Sequence, residues 1–532
     1  MGSAQSKQLD TWKHDDFQII RPLPQLPFGH ESIVKLVEKP EVQLTMKSFP
    51  YKDESDKKAV DNYIAMLNKT QSKYTLHLFG AFDHDDEKCL IFEHCSAGSL
   101  RDLIETMKDL SLEERMKKLL QFLFHILSGL AYLHLKGIIH GNLKPEDIHI
   151  DQDGKMKIAN YGFNVFRESI SYNKTLESNE YSPPERLIED KLNPSHDIYS
   201  LGIIVFQILT GSNPFKDQTS DESIFKDKLL TLPDQVSDEI KEMIVRMLNQ
   251  DPTQCPFALE LLDQEMMRTQ ANIEKEQQIQ LFQKIKCDLQ KPFIGSEQED
   301  KLIIQTQESC CELIISKLKD KEDDDRRKSA IFIGVTSELS NIFETRDLNL
   351  ISPVYIDAFE CLTFPSDKTD VQPLIFAKKN PYPGLIRLLD HPNIQIVTDS
   401  IDSIFNIIIA GINTTLNSTP HPHFESISSC VNRNEIMNEE QMISIEQDLR
   451  QPLIGSEEEI CNINRASLIL FIRLLPTTMG SFQKLKRIQI GVNARIAQHG
   501  LPGRIIRSWD LKTGRVIEVS YIWVGKGQAK LC

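Results

Sequence analysis

His140-Gly141-Asn142-Leu143-Lys144-Pro145-Glu146-Asp147 is the stretch whose reading decides the fold. Immediately before it, Leu119 to Lys136 repeats apolar residues at helical spacing and stops at Gly137, as a helix followed by a loop does. After it comes Met156-Lys157-Ile158-Ala159-Asn160-Tyr161-Gly162. The chemistry of the loop turns on side-chain type. A carboxylate at position 142 would accept a proton near neutral pH, whereas the Asn142 amide does not. Asn160 likewise offers a neutral carbonyl where a hard cation prefers anionic oxygen, so of positions 142, 147 and 160 only Asp147 is acidic.

Further out, Ile33 to Phe49 reads as paired strands and contains Leu44-Thr45-Met46-Lys47, preceded by Pro27-Phe28-Gly29-His30-Glu31-Ser32-Ile33-Val34. Cys89 to Cys95 reads as a strand, and Gly98-Ser99-Leu100 as the turn after it. Downstream lie Tyr181-Ser182-Pro183-Pro184-Glu185, Asp197-Ile198-Tyr199-Ser200-Leu201-Gly202 and Met247-Leu248-Asn249-Gln250-Asp251-Pro252. Taken in order, these stretches resemble the signatures of the protein-kinase superfamily: the G-x-G-x-x-G-x-V loop, the V-A-I-K strand, the hinge, H-R-D-L-K-P-E-N, D-F-G, A-P-E and D-x-W-S-x-G. The resemblance covers roughly Phe17 to Asp263 and is closest to serine/threonine kinases. It implies an α+β two-lobed kinase-like fold over residues 17–270, after a flexible N-terminus at 1–16.

The resemblance also implies site residues. A nucleotide would meet Gly29, Ser32, Val34, Lys47, Glu93, Cys95, Asp147 and Asn160, with Asn142 at the proton-acceptor position and Lys144 beside it. Asp147 is the remaining candidate ligand for a metal, so ATP is implied as cofactor with magnesium held weakly or not at all. Lys47 ordinarily needs a glutamate from the neighbouring helix. Between Glu54 and Glu87 there is none, and Asn62 or Tyr63 falls near that position, so the lysine is expected to lack its clamp. Pro27 and Ser32 stand at two of the three loop glycines. Gly141 removes the arginine that pairs with an activation-loop phosphate, and Cys255 the one that pairs with Glu185. His140 and Tyr161 retain the aromatic stack expected beneath the cleft.

Composition bounds the rest. The 532 residues are 40 % hydrophobic and 26 % charged, enough for two or three globular domains. No apolar run reads as long enough to span a bilayer. A net charge of −16 argues against nucleic-acid binding, and ten scattered cysteines without a C-x-x-C pair point to reduced thiols in a cytoplasmic protein. Met1-Gly2-Ser3-Ala4-Gln5-Ser6 matches a myristoylation pattern, so Gly2 is a lipidation candidate and membrane contact is expected only if it is acylated.

Beyond the kinase-like part, residues 271–476 read as an all-α solenoid resembling armadillo or HEAT repeats. Leu339, Ile342, Phe343, Leu348, Leu350 and Phe359 are answered 46 residues later by Leu385, Leu388, Leu389, Ile394, Ile396 and Phe405. Asp288-Leu289-Gln290-Lys291-Pro292-Phe293-Ile294-Gly295-Ser296-Glu297 returns 160 residues later as Asp448-Leu449-Arg450-Gln451-Pro452-Leu453-Ile454-Gly455-Ser456-Glu457, each copy placing a serine as N-cap of a helix. Residues 477–532 form a basic tail in which Ile505 to Arg515 resembles the end of one WD-repeat blade; one blade cannot close a propeller, so an appended hairpin or a disordered tail is expected. Two functions follow. One is a pseudokinase adaptor whose solenoid holds protein partners; the other is an unusual serine/threonine kinase that transfers the ATP γ-phosphate to protein hydroxyls.

Overall fold

The computed structural model describes residues 12–23, 29–37, 40, 42–163, 166, 180–183, 192–214, 232–249, 251–293, 295–319, 323–363 and 379–413, with four short strands after residue 505. The chain divides into two compact units, Leu9–Lys275 and Met1–Gln8 with Glu276–Cys532.

The first unit opens with a five-stranded antiparallel sheet: β1 (Phe17–Pro22), β2 (His30–Leu36), β3 (Gln43–Pro50), β4 (Leu78–His84) and β5 (Glu87–Glu93), in the order β1-β2-β3-β5-β4. Alternation along the strands splits the side chains between two faces. Val34, Leu36, Leu44, Met46 and Ile91 pack with Trp12 and Phe17 on one face. Helix α1 (Glu54–Lys69) starts where the Asp53 carboxylate accepts from the backbone N–H groups of Ser55 and Asp56. Its Ala59, Val60, Tyr63 and Leu67 belong to a second, larger core with Phe49 and Leu90.

That larger core continues through helices α2 (Leu100–Met107), α3 (Leu112–Leu135), α4 (Pro194–Thr210), α5 (Asp238–Met247) and α6 (Ala258–Leu262). Ser99 and Ser111 close capping boxes with Asp102 and Glu114, which fixes where α2 and α3 begin. By length and composition alone α3 is long and apolar enough to cross a membrane, where the sequence reading expected no such run. Leu119, Leu123, Ile126, Leu127 and Leu130 are instead buried in the core of this lobe. After the turn at Gly137 come the 140–147 loop, ending in a 3-10 turn at Pro145–Asp147, and the hairpin β6 (Ile148–Ile150) with β7 (Met156–Ile158). A sheet-rich lobe and a helical lobe with this connectivity fit the kinase-like fold.

In the second unit, helices α8 (Glu297–Leu318), α9 (Asp324–Ile333), α10 (Val335–Thr345), α11 (Pro353–Thr363), α12 (Tyr382–Arg387) and α13 (Ile394–Asn413) share a core that includes Ile314, Leu339, Phe343, Tyr355, Phe359, Leu385 and Ile404. Phe282, Ile285 and Leu289 of α7 (Glu265–Leu289) join it. Among its polar members, Arg346 is 8 % exposed; it donates to the Tyr355 hydroxyl at 2.8 Å and to Gln307 Oε1, and lies over the Phe293 and Tyr355 rings.

The expected internal repeat needs a different register. Helix, 3-10 turn and helix recur, with the turns at Leu348–Leu350 and Leu388–Asp390, an offset of 388 − 348 = 40 and not 46. Leu350, matched to the buried Ile396, is 43 % exposed because it lies in the turn, whereas Ile396 is already in α13. Ser296 does sit at the N-cap of α8, but its side chain accepts no capping bond. Gly295 N–H instead donates to Asp300 Oδ1. The second copy at 448–457, the side chain of Phe405 and Gly2 lie outside the described residues. The tail contains two antiparallel pairs, β8 (Ile506–Asp510) with β9 (Arg515–Val519) and β10 (Tyr521–Val524) with β11 (Gln528–Leu531).

Candidate active-site cleft

The 140–147 loop is held from below by one carboxylate. Asp197, fully buried at the start of α4, accepts from His140 N–H at 2.9 Å, Gly141 N–H at 2.7 Å and His134 Nε2 at 2.8 Å. Burial alone would raise its pKa; the bond and the charge of His134 prevail and hold it below the ordinary carboxylate range. Gly141 has φ +71°, a left-handed conformation that its lack of a side chain permits. The His140 ring accepts from Asn142 N–H at Nδ1, which leaves Nε2 to donate to the Ala159 carbonyl at 2.9 Å. The loop is therefore built without an acidic residue 142.

Lys47, Asn160 and Asp147 meet above it. Lys47 Nζ donates to Asn160 Oδ1 at 2.8 Å, and Asn160 Nδ2 donates to Asp147 Oδ1 at 2.7 Å. Asn160 holds φ +57°, and the Ala159 N–H donates to the Asp147 carbonyl at 2.8 Å, so backbone and side chain both fix this bridge. Asp147 is 5 % exposed and burial raises its pKa, partly opposed by His140, the Asn160 bond, Lys144 and Lys47. Lys144 caps the 3-10 turn and is half-buried.

Lys47 does not lack a counter-ion. Glu31 Oε1 stands 3.5 Å from its ammonium, with the two side chains 12 % and 3 % exposed. The pairing comes from β2, directly opposite Lys47 in the strand register, and not from α1. Tyr63 faces aromatic neighbours, stacking on Phe166 at 5.1 Å and meeting Phe49 and Phe163 edge-on. The expectation of an unclamped lysine missed Glu31 because it considered only the helix.

The same register corrects two residues of the loop. Glu31 pairs with Lys47 and Ile33 with Thr45, which puts these four on one face; Ser32 pairs with Met46 and Val34 with Leu44 on the other. Val34 belongs to the core with Trp12 and Phe17, so neither it nor the buried Ser32 presents a side chain to the Lys47 face. A shift of one residue in a strand exchanges its faces. Gly29, at φ +88°, approaches β3 so closely that a Cβ would lie 2.0 Å from the Ser48 carbonyl oxygen.

At the far end of the cleft, Thr45 Oγ1 and His94 Nδ1 are 3.2 Å apart. His149 is held uncharged there: burial lowers its pKa to about 3, with Lys47 and His94 adding to the effect. The Glu93 carboxylate accepts from Lys157 Nζ and from His77 N–H, both at 2.7 Å. Cys95 is buried in the main core and its carbonyl accepts from Gly98 N–H. Sequence reasoning named Glu93 and Cys95 as nucleotide-binding residues, whereas the Glu93 carboxylate is engaged by Lys157 and His77 and the Cys95 side chain lies in the core, and it missed Thr45, His94 and His149. Their signal was polarity within, or just after, strands that otherwise bury apolar residues. Cys255 Sγ lies near the carbonyls of Met247 and Ser195, while Pro27 and Glu185 lie outside the described residues.

As a metal site the donors fit poorly. One carboxylate oxygen of Asp147 already accepts from an amide N–H, and the Asn160 oxygen already accepts from Lys47. Among the described residues no group of three or more His, Cys, Asp or Glu side chains is arranged to hold a metal ion.

Comparison with known proteins agrees with this architecture. Residues 26–267 match the protein kinase domain family. The chain is 28 % identical over 260 residues to an Aurora kinase of Patiria pectinifera, covering 48 % of this chain and 63 % of that protein, so it spans less than two thirds of that relative. It is 25 % identical over 253 residues to Aurora kinase C of Mus musculus, covering 46 % and 90 %. To the probable serine/threonine-protein kinase MARK-B of Dictyostelium discoideum it is 31 % identical over 209 residues, covering 37 % and 29 %. Fold, loop geometry and the family match agree on a protein kinase domain over residues 26–267, with Aurora and other serine/threonine kinases among its relatives.

Proposed function

We propose that the kinase domain is a pseudokinase with weak or no phosphotransfer, joined to an armadillo-like solenoid that holds protein partners in the cytoplasm. The single observation that carries the reading is the Asn160 bridge. Its amide N–H takes up Asp147 Oδ1 and its oxygen takes up Lys47, so the polar groups left after the loss of acids at 142 and 160 satisfy one another. Phosphoryl transfer needs those groups turned towards nucleotide and metal. Asn142 supplies no proton acceptor, and magnesium is held weakly or not at all.

The test is phosphotransfer from labelled ATP with magnesium or manganese by the full chain, beside Lys47→Met. Turnover that depends on Lys47 would establish the alternative, an active serine/threonine kinase. The expected result is background incorporation in both. Capture of the same protein partners by wild type and Lys47→Met would support the adaptor role, and loss of every partner on disrupting residues 271–476 would assign them to the solenoid.

A further inference from the structure

We propose that Glu31 is a built-in anion that takes the place of a nucleotide phosphate on Lys47, and so sets what the cleft accepts. The inference rests on the pseudokinase reading and adds to it the residue that keeps nucleotide out. Three observations carry it. Glu31 lies opposite Lys47 in the β2–β3 register and on the same face as Thr45, so its carboxylate projects into the cleft. Its oxygen stands 3.5 Å from the ammonium of Lys47, whose side chain is 3 % exposed, and that ammonium donates to Asn160 Oδ1 at 2.8 Å. The pairing of His30 with Ser48 and of Ser32 with Met46, on either side of Glu31, holds this start of β2 against β3.

Electrostatics then determines the outcome. A phosphate reaching Lys47 has to approach the Glu31 carboxylate, and two like charges a few ångströms apart in a site poor in water repel strongly. Lys47 would also exchange a formed, largely buried ion pair for a new one, so most of the attraction it offers a phosphate is already spent. A ligand without phosphates meets neither obstacle. Glu31 therefore discriminates by charge, acting at the phosphate end of the cleft and not at Thr45 and His94.

The experiment is direct titration of full-length wild type, Glu31→Gln, Lys47→Met and the double variant with ATP and separately with adenosine, without divalent metal. Glu31→Gln keeps size and shape while removing the charge. It is expected to bind ATP at least about tenfold more tightly than wild type and adenosine within about twofold, and the double variant, which lacks the ammonium that attracts phosphate, is expected to bind ATP less tightly than Glu31→Gln. No gain for ATP, an equal gain for both ligands, or weaker ATP binding would overturn the assignment; the last would make Glu31 a clamp that presents Lys47 to phosphate. Should Glu31→Gln fold poorly, urea unfolding of the four proteins decides. A paired Glu31 predicts that Lys47→Met costs more stability in the wild-type background than in the Glu31→Gln background, and additive effects would refute it. These outcomes are separate from phosphotransfer, so a catalytically active wild type would remove the pseudokinase reading without imitating any of them.

Discussion

Replacing Asn160 with aspartate restores the acid that the kinase signature expects, and the structure predicts that it destabilises this domain. The substitution removes the N–H that reaches Asp147 Oδ1 at 2.7 Å and puts an oxygen there. A hydrogen bond to a charged group is lost, at about 1.5–3 kcal/mol. Two carboxylates about 4 Å apart repel by roughly 4 kcal/mol at an effective dielectric near 20, and attraction of the new charge to Lys47 offsets a similar amount. Lys47 already faces Glu31, however, so the site moves from one ammonium between two acids to one ammonium among three. The net loss is on the order of 3 kcal/mol, or about 9 °C in melting temperature for a domain of this size. The assay is thermal unfolding of wild type and Asn160→Asp in chelator, near neutral pH, at about pH 5, and with excess magnesium. The deficit should shrink in acid, where the pair shares a proton, and in magnesium, which gives both carboxylates a cation. A variant that melts at or above wild type in chelator near neutral pH would refute the bridging role of Asn160.

Three further perturbations have defined outcomes. Burial, with Lys157 beside one ring and Lys47 and His94 beside the other, lowers the pKa of both His77 and His149 to about 3. The folded domain therefore declines protons that the unfolded chain accepts below about pH 6.5, and stability falls from there downward, by up to about 2 kcal/mol per ring at pH 5. Urea midpoints near pH 7 and pH 5 should show about half that dependence in His149→Gln, and an unchanged slope would contradict it. Gly29→Ala places a Cβ 2.0 Å from the Ser48 oxygen at φ +88°, so it should cost at least about 2 kcal/mol and speed amide exchange in His30 and Glu31; wild-type exchange would count against the close approach. Arg346→Ala leaves Gln307 Oε1 and the Tyr355 hydroxyl without their buried donor and should cost about 3–5 kcal/mol by denaturant unfolding of the full chain, whereas a loss below about 1 kcal/mol would show that water replaces the guanidinium.

What could be read from the sequence was what lies close together along the chain. The helix before Gly137, the turn at Ser99 and the glycine at 162 each carry local signals in residue type and spacing. Asp197 was legible as a motif, but its three donors, which come from α3 and the loop 63, 57 and 56 residues earlier, were not. Strand faces were harder. Ile33 and Val34 are both buried and both apolar, so hydrophobicity could not say which faces Lys47, and only the pairing with β3 decides it. The repeat register failed for a related reason: leucines of a 3-10 turn and of a helix look alike as apolar letters, although Leu350 ends up 43 % exposed.

Polar residues inside apolar patterns were the signal most undervalued. Glu31 leads into the buried run Ser32–Val34, Gln307 lies on the buried stripe of α8, and Arg346 follows the end of α10. Each is costly to bury alone, so each requires a partner, and the partner is distant in sequence: Lys47 for Glu31, and Arg346 for Gln307. Such an obligation can be stated from sequence even when its fulfilment cannot. Applied to the kinase signatures, it changes what the missing acids mean. Losing acids at 142 and 160 would strand Lys47 and Asp147 in a buried cleft unless other groups satisfied them; Asn160 serves both, and Glu31 adds a counter-charge to the ammonium. The replacements are thus interdependent. Reverting Asn160 to aspartate removes the N–H that Asp147 accepts and adds a third acid around the single ammonium of Lys47, so on the pseudokinase reading a change at Glu31 would have to accompany it.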